Sequence, residues 1–493
     1  MITLDHIIGG VRVNPADAPD TPAFANAPTF SGACIDSREA SPGALFVALR
    51  GERVDGHDYI AAAAARGASG ALVQRGRIAD VAALKLDRPA VLLDPDLGRW
   101  PADPPPGAVW LFEVDEPLLA LQRMAARHRA AHDLVVVGIT GSVGKTTTKE
   151  VLAAMLAPTM RTHKSPRSYN SENTLPLVVL GIEEQHQIAV MEMGIYNAGD
   201  LTLLASIARP QIGIVTNIGP SHLERMHTLE NVAAAKSELV QALPPDGWAI
   251  LNYDDPLVRP MAGQTQARVF SYGLDPAADL WADEIESRGL DGIAFCAHYQ
   301  GREWRVKLPL IGRHSVHTAL ASAAVGLVLG LSWDSLIQGL RQSAQLRLLA
   351  SPAVGGATVI DDSYNASPVS SLAALNLLAE LEGRRIGVFG DMAELGPQEE
   401  VGHRAVGTRA ADVLDELFVV GELARWIGEE ALASGMAAER VHFAQSKAEI
   451  VDRLKALLTP NDYVLVKGSR VAEMEDVAAA LQVPREEAGA WKT

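Results

Sequence analysis

An apolar run that leads straight into a glycine-rich loop constrains the fold of this chain more than any other feature. The run, residues 134–139 (Leu-Val-Val-Val-Gly-Ile), is too short for a helix and rich in β-branched residues, so it predicts a buried parallel strand. Gly141 and Gly144 in the following loop let the backbone point its N–H groups at phosphate oxygens. A helix predicted next adds partial positive charge at its N-terminus. The pattern therefore predicts a nucleotide-binding strand–loop–helix unit.

Within this loop, Lys145 is placed to reach the β- and γ-phosphates of ATP, and the hydroxyl of Thr146 is placed to bind Mg²⁺. The alternative is a helix cap followed by a surface lysine, but strand, glycines, Gly-Lys-Thr and helix occur in the required order. The residue five positions before Gly144 is Ile139, so the spacing differs from that of the general P-loop. The predicted ATP contacts are Thr140, Gly141, Ser142, Val143, Gly144, Lys145, Thr146 and Thr147.

Short apolar strands alternate with helical patterns along the chain, which predicts βαβ units and an α/β fold with parallel sheets. At roughly 150 residues per domain, a chain of 493 residues predicts about three domains. A helix is predicted at 117–131, before the strand that enters the phosphate loop. The predicted domains are 1–112, 113–343 and 344–493. Further strands are predicted at 188–193, 212–218, 248–251, 358–361, 385–389, 417–420 and 463–466.

Charge and cysteine content exclude several classes of protein. The formal net charge is −17, with 60 acidic and 43 basic side chains, so we expect no nucleic-acid partner. No run of about 18 apolar residues predicts a membrane span, and the first residues do not resemble a secretory signal. Cys34 and Cys296 are the two cysteines, which fits a reducing compartment and predicts no thiolate metal site. We therefore expect a cytoplasmic protein.

Two residues that follow predicted strands are candidate metal ligands. Glu192 lies in Val-Met-Glu-Met-Gly and His222 in Gly-Pro-Ser-His, so both side chains are expected near the phosphate loop in a parallel sheet. Because Mg²⁺ prefers oxygen ligands, Glu192 and Thr146 fit it well. A histidine on Mg²⁺ is less usual, and His222 could equally cap or pack.

Lys236 lies in a predicted helix among alanines, Asn-Val-Ala-Ala-Ala-Lys-Ser-Glu-Leu. An ordinary helix lysine is solvated, but small neighbours permit burial, which lowers the pKa of a lysine amine. A neutral amine can take up CO₂ and become a carbamate, which offers two oxygen ligands to a metal ion. The residues alone leave both interpretations of Lys236 open.

Motifs spread over nearly the whole chain resemble those of the Mur ligases, and among them the MurF type, which adds D-alanyl-D-alanine to UDP-N-acetylmuramoyl-tripeptide. The third predicted domain contributes the segments that distinguish this type from its sister ligases. The motifs are Ile-Asp-Ser-Arg at 35–38, Asp-Gly-His at 55–57, the phosphate loop, Glu-Met-Gly at 192–194, Thr-Asn-Ile-Gly at 216–219, Ala-Lys-Ser-Glu at 235–238, Asp-Asp-Ser-Tyr-Asn-Ala-Ser-Pro at 361–368, Gly-Asp-Met-Ala-Glu-Leu-Gly at 390–396 and Lys-Gly-Ser-Arg at 467–470.

The resemblance implies a role for each matching position. It implies that the catalytic residues are Lys145, Glu192, His222, Lys236 and Arg347. Of these, Glu192 shares one Mg²⁺ with Thr146, and His222 and a carbamylated Lys236 serve a second metal ion. It also implies that Arg347 approaches the γ-phosphate when the domains close. Further ATP contacts are implied at His314, Asp362 and Asn365. Contacts to the UDP substrate are implied at Ser37, Arg38, Gly51, Asp55, His57 and Asn170.

The resemblance also implies a monomer and a reaction through an acyl phosphate, in which a substrate carboxylate attacks ATP and the amine of D-alanyl-D-alanine then attacks the activated carbonyl. The chain departs from the family pattern after Asn170, which begins Asn-Ser-Glu-Asn-Thr-Leu-Pro, and after His314, where Ser315 and Thr318 replace two amides. Three alternatives remain. The first is a MurE-type ligase that adds one amino acid, but the usual D-[DN]-P-R acceptor motif of that type is absent. The second is a P-loop ATPase that is not a ligase, which the spacing of the phosphate loop disfavours, and the third is a scaffold that binds the UDP substrate without catalysis.

Overall fold

The computed structural model describes residues 1–11, 28–51, 54–95, 104–220, 223–343 and 350–483, and these residues form an α/β fold, as predicted. The strands are β1 Ile2–Thr3, β2 Thr29–Phe30, β3 Ala33–Cys34, β4 Leu45–Val47, β5 Gly70–Gln74, β6 Ala90–Leu93, β7 Val109–Val114, β8 Val135–Thr140, β9 Thr162–Lys164, β10 Ile188–Glu192, β11 Ile212–Val215, β12 Trp248–Asn252, β13 Arg268–Gly273, β14 Leu280–Ser287, β15 Ile293–Tyr299, β16 Arg302–Leu308, β17 Ala350–Pro352, β18 Thr358–Asp362, β19 Arg384–Phe389, β20 Glu416–Val420, β21 Val441–Ala444 and β22 Asp462–Lys467.

The α-helices connect these strands and cover the faces of the sheets. They are α1 Leu4–Val11, α2 Ile60–Ala65, α3 Pro117–Ala130, α4 Lys145–Leu156, α5 Leu175–Leu180, α6 Asp200–Ala208, α7 Leu223–Met226, α8 Leu229–Gln241, α9 Ser315–Val328, α10 Trp333–Ser343, α11 Pro368–Ala379, α12 Glu399–Val413, α13 Arg425–Ala433, α14 Lys447–Leu457 and α15 Glu475–Leu481. None of the helices in the described part of the chain is long and apolar enough to cross a membrane.

Three large sheets follow one another along the chain. The first has the order β3-β4-β5-β7-β6 and is parallel throughout. The central sheet has the order β16-β15-β14-β13-β12-β11-β8-β10-β9, parallel from β9 to β14, with β15 and β16 added as antiparallel strands. The third has the order β17-β18-β22-β19-β20-β21, with only β17 antiparallel among the described strands. Because parallel strands end on the same edge, each sheet has one edge where loops meet.

The first and central sheets share one apolar core. Phe112 of β7, Met124 of α3 and Val136 of β8 belong to the same buried cluster, and each is fully buried. Helix α1 packs closely against α3, because Gly10 has no side chain to hold Met124 away. Burying a side chain such as Met124 contributes about 1.5–3 kcal/mol. Strand β7 runs across the predicted boundary at residue 112 and pairs within the first sheet.

The predicted strand at 212–218 is shorter in the structure. Strand β11 ends at Val215, and the side chains of the next two residues bond to the phosphate loop. Thr216 and Asn217 both donate hydrogen bonds to the carbonyl oxygen of Val143, at 2.7 and 2.8 Å. This early end places polar groups beside the loop that the sequence predicts to bind phosphate.

Candidate active site

The centre of the central sheet positions the phosphate loop. Strands β10, β8 and β11 are adjacent and parallel, so Glu192, Thr140 and Val215 end at one edge. The loop of residues 141–144 joins β8 to α4, whose first residue is Lys145. The structure therefore places the loop at a helix N-terminus, where backbone N–H groups and the helix dipole favour anions.

Two glycines give the loop its shape. Gly141 has φ +146° and Gly144 has φ +88°, a region that glycine adopts without strain. A Cβ atom at Gly141 would also collide with the hydroxyl of Thr216. Asn217 holds the loop from outside, because its side chain accepts from Val143 N at 2.9 Å and donates to Val143 O at 2.8 Å.

Lys145 folds back over its own loop. Its Nζ atom donates to the carbonyl oxygens of Gly141, at 2.6 Å, and Ser142, at 3.2 Å. Burial lowers the pKa of this lysine, and the negative charge of Glu192 opposes that shift. The ammonium is therefore held by two carbonyl oxygens at the place where phosphate oxygens would enter.

Glu192 is a buried carboxylate with partners on both oxygens. The Thr146 hydroxyl donates to Oε2 at 2.9 Å, and the Asn170 amide donates to Oε1 at 2.8 Å. The ammonium of Lys149, itself fully buried, lies 3.9 Å from Oε2. A carboxylate and a hydroxyl in contact are hard oxygen donors, so Thr146 and Glu192 fit Mg²⁺.

Lys236 is fully buried in α8, and its Nζ atom has no hydrogen-bond partner among the described residues. Burial lowers its pKa well below the ordinary value of 10.5, and the positive charge of Lys145 lowers it further. A buried lysine amine without a partner is costly unless it is neutral or chemically modified. The residues therefore fit a carbamate, which would replace the unpaired amine by an anionic oxygen donor.

The third sheet brings a loop to the same place. Lys467, at the end of β22, is buried, and its Nζ atom donates to Asp362 Oδ2 at 2.6 Å and to the carbonyl oxygen of Asn365 at 3.0 Å. Strands β18 and β22 are neighbours in register, so Asp362 and Lys467 stand side by side. Lys467 thus fixes the loop that carries both predicted nucleotide contacts.

Lys145, Glu192, Asp362 and Lys467 line a common cavity of about 380 Å³, which we call the phosphate cavity. Its walls come from the phosphate loop, the ends of β10 and β18, and the loop after β22. Its lining includes Lys145, Thr146, Asn170, Glu192, Asp362, Asn365, Lys467 and Arg470.

A second cavity of about 750 Å³, the first-sheet pocket, lies mainly in the first sheet and is closed by residues at the start of α3 and by Asn173. Ser37, Arg38, Gly51 and His57 line it. His57 is buried, and its two ring nitrogens are both bonded: Nδ1 donates to Asp55 Oδ1 at 2.6 Å, and Nε2 accepts from the backbone N–H of Gln74 at 2.9 Å.

Asp55 orients the histidine of this pocket from behind. Its carboxylate accepts the backbone N–H of His57, which is the main favourable cause of a pKa lowered to about 2. The His57 ring and Arg77 lower the pKa of Asp55 further, whereas burial opposes the shift. Asp55 therefore remains ionised at neutral pH and fixes the tautomer of His57.

Comparisons with known proteins decide the family. Three family profiles match: the Mur ligase middle domain over residues 139–326, the Mur ligase glutamate ligase domain over 347–470, and the Mur ligase family catalytic domain over 29–92. A UDP-N-acetylmuramoyl-tripeptide–D-alanyl-D-alanine ligase of Bacillus subtilis is 33% identical over 455 residues, which cover 91% of this chain and 93% of that protein. The chain belongs to the Mur ligase family.

Solved structures are consistent with the assignment of the chain to the Mur ligase family. A crystal structure of MurF from Acinetobacter baumannii is similar with a TM-score of 0.77 and 28% identity, covering 97% of this chain and 98% of that one. The MurF ligase of Thermotoga maritima, solved in complex with ADP, is similar with a TM-score of 0.72 and 26% identity, covering 91% and 96%. The resemblance predicted from the motifs is thereby confirmed.

The structure of this Mur ligase gathers some predicted site residues and separates others. Asn170, predicted to contact the UDP substrate, lines the phosphate cavity and bonds Glu192 instead of lining the first-sheet pocket. His314 precedes α9 and does not line the phosphate cavity. Ser315 is buried, and its hydroxyl donates to the carbonyl oxygen of Ile311 at 2.6 Å. His222 and Arg347 lie outside the described residues.

Three residues in or near the phosphate cavity were not predicted as site residues from the sequence. Lys467 and Lys149 are buried beside acidic groups, and Asn217 holds the phosphate loop. Lys467 had a usable signal, because a lysine directly after an apolar strand in a parallel sheet ends at the ligand edge. Lys149 had none, since its position inside α4 is that of an ordinary helix lysine.

Proposed function

We propose that this Mur ligase joins the amine of D-alanyl-D-alanine to the terminal carboxylate of UDP-N-acetylmuramoyl-tripeptide, converting ATP to ADP and phosphate. The observation that carries the proposal is the phosphate cavity, in which Lys145 and Glu192 face Asp362 and Asn365. Relatives whose names contain both substrates support this choice. The product is the pentapeptide precursor used in peptidoglycan synthesis.

The reaction proceeds through an acyl phosphate. A carboxylate oxygen of the tripeptide attacks the γ-phosphorus of ATP and ADP leaves; the dipeptide amine then attacks the acyl carbon, and phosphate leaves. Phosphoryl transfer requires mainly positioning and neutralisation of charge. Lys145 supplies the positive charge, and for this its ammonium exchanges the carbonyl oxygens of Gly141 and Ser142 for phosphate oxygens.

The metal site follows from the oxygen donors beside the loop. Thr146 and Glu192 would hold one Mg²⁺, which neutralises phosphate charge when it is bound. Asn170 orients Glu192 through its 2.8 Å hydrogen bond, so that the carboxylate keeps one oxygen toward Thr146. A carbamate on Lys236, together with His222, would hold a second ion. The depressed pKa of the lysine supports this, because only a neutral amine reacts with CO₂.

The first-sheet pocket would bind the UDP end of the substrate, with Ser37, Arg38, Gly51 and His57 as contacts. This places the anchor away from the reacting carboxylate, so remote binding energy serves to position the chemistry. The three domains proposed at 1–112, 113–343 and 344–493 would close to keep water from the acyl phosphate. Arg347 would approach the γ-phosphate in that closed state.

The proposal is tested by measuring phosphate release from ATP with Mg²⁺ and UDP-N-acetylmuramoyl-tripeptide, with and without D-alanyl-D-alanine, and by identifying the product by mass. We expect release that depends on the dipeptide and a pentapeptide product. Phosphate release that is equally fast with and without D-alanyl-D-alanine would instead indicate a P-loop ATPase. A product extended by one amino acid would indicate a MurE-type ligase. We also propose that the enzyme acts as a monomer in the cytoplasm, which size measurement and cell fractionation test.

A further inference from the structure

The outer strands of the central sheet place three ligand-type side chains together. Asp283 of β14 is paired with Cys296 of β15, and His298 follows two positions after Cys296. Because side chains alternate along a strand, all three share one face of the sheet. The sequence gives no local sign of this group, since Asp283 and Cys296 are not close in the chain and a lone pair of distant cysteines predicts no thiolate site.

The ligand atoms of these three residues all lie within 4.8 Å of one another. Among the described residues, this is the one group of three histidine, cysteine or acidic side chains that meets this distance. His298 Nε2 lies 2.8 Å from Asp283 Oδ1. Ligand atoms on a tetrahedral Zn²⁺ lie about 3.3–3.8 Å apart, given metal–ligand bonds of roughly 2.0–2.3 Å. Small rotations of these side chains therefore suffice to surround one ion.

The surroundings hold the group in place and favour a cation. The ring of Trp281 stacks on that of His298, with centroids 3.8 Å apart and planes 7° apart, which restricts the histidine. Glu303 Oε1 lies 4.0 Å from His298 Nδ1. Arg305, which lies opposite Cys296 across β15 and β16, is exposed and pairs with Glu284 at 3.1 Å, so its charge is offset by an acidic neighbour. Strand β14 bulges directly after Asp283, at Glu284, and this turns the strand locally.

A cysteine, a histidine and an aspartate that lie close together also occur as a nucleophilic triad. In this chain, burial and the nearby carboxylates of Glu303 and Asp283 raise the pKa of the Cys296 thiol, so the metal-free group is not an activated nucleophile. The same carboxylates attract a cation. A bound metal ion would displace the thiol proton into solvent, because a coordinating thiol is deprotonated.

We propose that Asp283, Cys296 and His298 form a binding site for a borderline-soft divalent cation such as Zn²⁺, with one position left for water. Sulfur, imidazole nitrogen and carboxylate oxygen are the donors that this ion accepts. The site is separate from the phosphate cavity, because β11, β12 and β13 lie between β14 and the strand that enters the phosphate loop. An ion here would link the two strands of one hairpin and stabilise the outer part of the sheet.

The test is a titration of the full-length, chelator-treated protein with Co²⁺, followed by the near-ultraviolet charge-transfer absorption that only a thiolate–Co²⁺ bond produces. We expect this absorption in the unaltered protein and its loss when Zn²⁺ is added in excess. Cys296→Ser should abolish it. The matched control is Cys34→Ser, which removes the other buried cysteine and should leave it unchanged. Oxygen donors such as Thr146 and Glu192 cannot produce this signal.

Two further variants keep the test independent of cysteine packing. His298→Gln and Asp283→Asn should weaken Co²⁺ binding by about tenfold or more while the protein keeps its unfolding temperature in the absence of metal. The proposal would be overturned by absence of the thiolate absorption in the unaltered protein or by its persistence in Cys296→Ser. It would also be overturned if His298→Gln and Asp283→Asn bound Co²⁺ as tightly as the unaltered protein.

Discussion

Two lysines of the phosphate-loop region and the histidine of the first-sheet pocket differ in how their nitrogen atoms are hydrogen-bonded. In and beside the phosphate cavity, Lys145 is bonded only to carbonyl oxygens and Lys236 has no hydrogen-bond partner among the described residues. In the first-sheet pocket, both ring nitrogens of His57 are bonded, and Asp55 is paired with His57 and Arg77. A satisfied polar group binds a ligand without changing state, whereas an unsatisfied one is stabilised when phosphate, metal or CO₂ arrives. In the proposed function, the hydrogen-bonded histidine belongs to the pocket that anchors the substrate, and the two lysines belong to the site of the reaction.

The sharpest test of this comparison is Lys145→Ala. We expect kcat to fall by about 10³-fold, because the phosphate charge loses its main protein cation in a site shielded from water. The unfolding temperature should change little, since the lysine bonds only to loop carbonyls. Lys307→Met, which removes an exposed lysine of β16, is the control. Near-normal turnover by Lys145→Ala would contradict the assignment of the phosphate cavity as the reaction site.

Lys236→Met separates a reactive from a structural role for the buried lysine. We expect kcat to fall by about 10²-fold, because the variant cannot form a carbamate. In CO₂-depleted buffer at pH 7, the variant should nevertheless unfold at a temperature a few degrees higher than the unaltered protein.

The higher unfolding temperature expected for Lys236→Met follows from proton linkage. The folded-state pKa of Lys236 is depressed below 10.5, so the lysine costs stability at low pH, and the cost fades as pH rises from the folded value to 10.5. The difference in unfolding temperature should therefore shrink between pH 7 and pH 10.5, as measured by thermal melts. A variant that is less stable at pH 7 would show that the lysine has a stabilising partner.

Lys467→Met tests the loop that the third sheet contributes. Without the bonds from Lys467 to Asp362 and Asn365, the loop is held less firmly, and we expect the KM for ATP to rise about tenfold. Lys447→Met, which removes a half-exposed lysine paired with Asp476, should leave the KM unchanged. Equal effects of the two substitutions would show that general destabilisation, and not this loop, is being measured.

The smallest effect is expected in the first-sheet pocket. His57→Gln removes the hydrogen bond between the His57 ring and Asp55. We therefore expect the KM for the UDP substrate to rise several-fold, which corresponds to about 1 kcal/mol of binding free energy, with kcat unchanged. Steady-state kinetics with each substrate varied in turn will separate the two constants. An equal fall in kcat would mean that this pocket takes part in the chemistry and would remove the distinction between the two cavities.

Local patterns were sufficient to predict much of this protein. The strand that enters the phosphate loop, the helix that follows it, and the α/β class depend on neighbouring residues, and the structure has them. The burial of Lys236 was foreseeable as one of two outcomes, because its helix neighbours are alanines. The family could also be predicted from the sequence, because its motifs are short and contiguous.

What the sequence by itself determined is therefore the class of sheet, the phosphate loop and the family. Only the tertiary structure decided that Asn170 bonds Glu192, that Lys467 holds the loop of Asp362, and that Cys296 lies beside Asp283. The physical reason is that these contacts join residues far apart in the chain. They depend on which strands are neighbours and on their register, and a shift of one residue moves a side chain to the other face of the sheet.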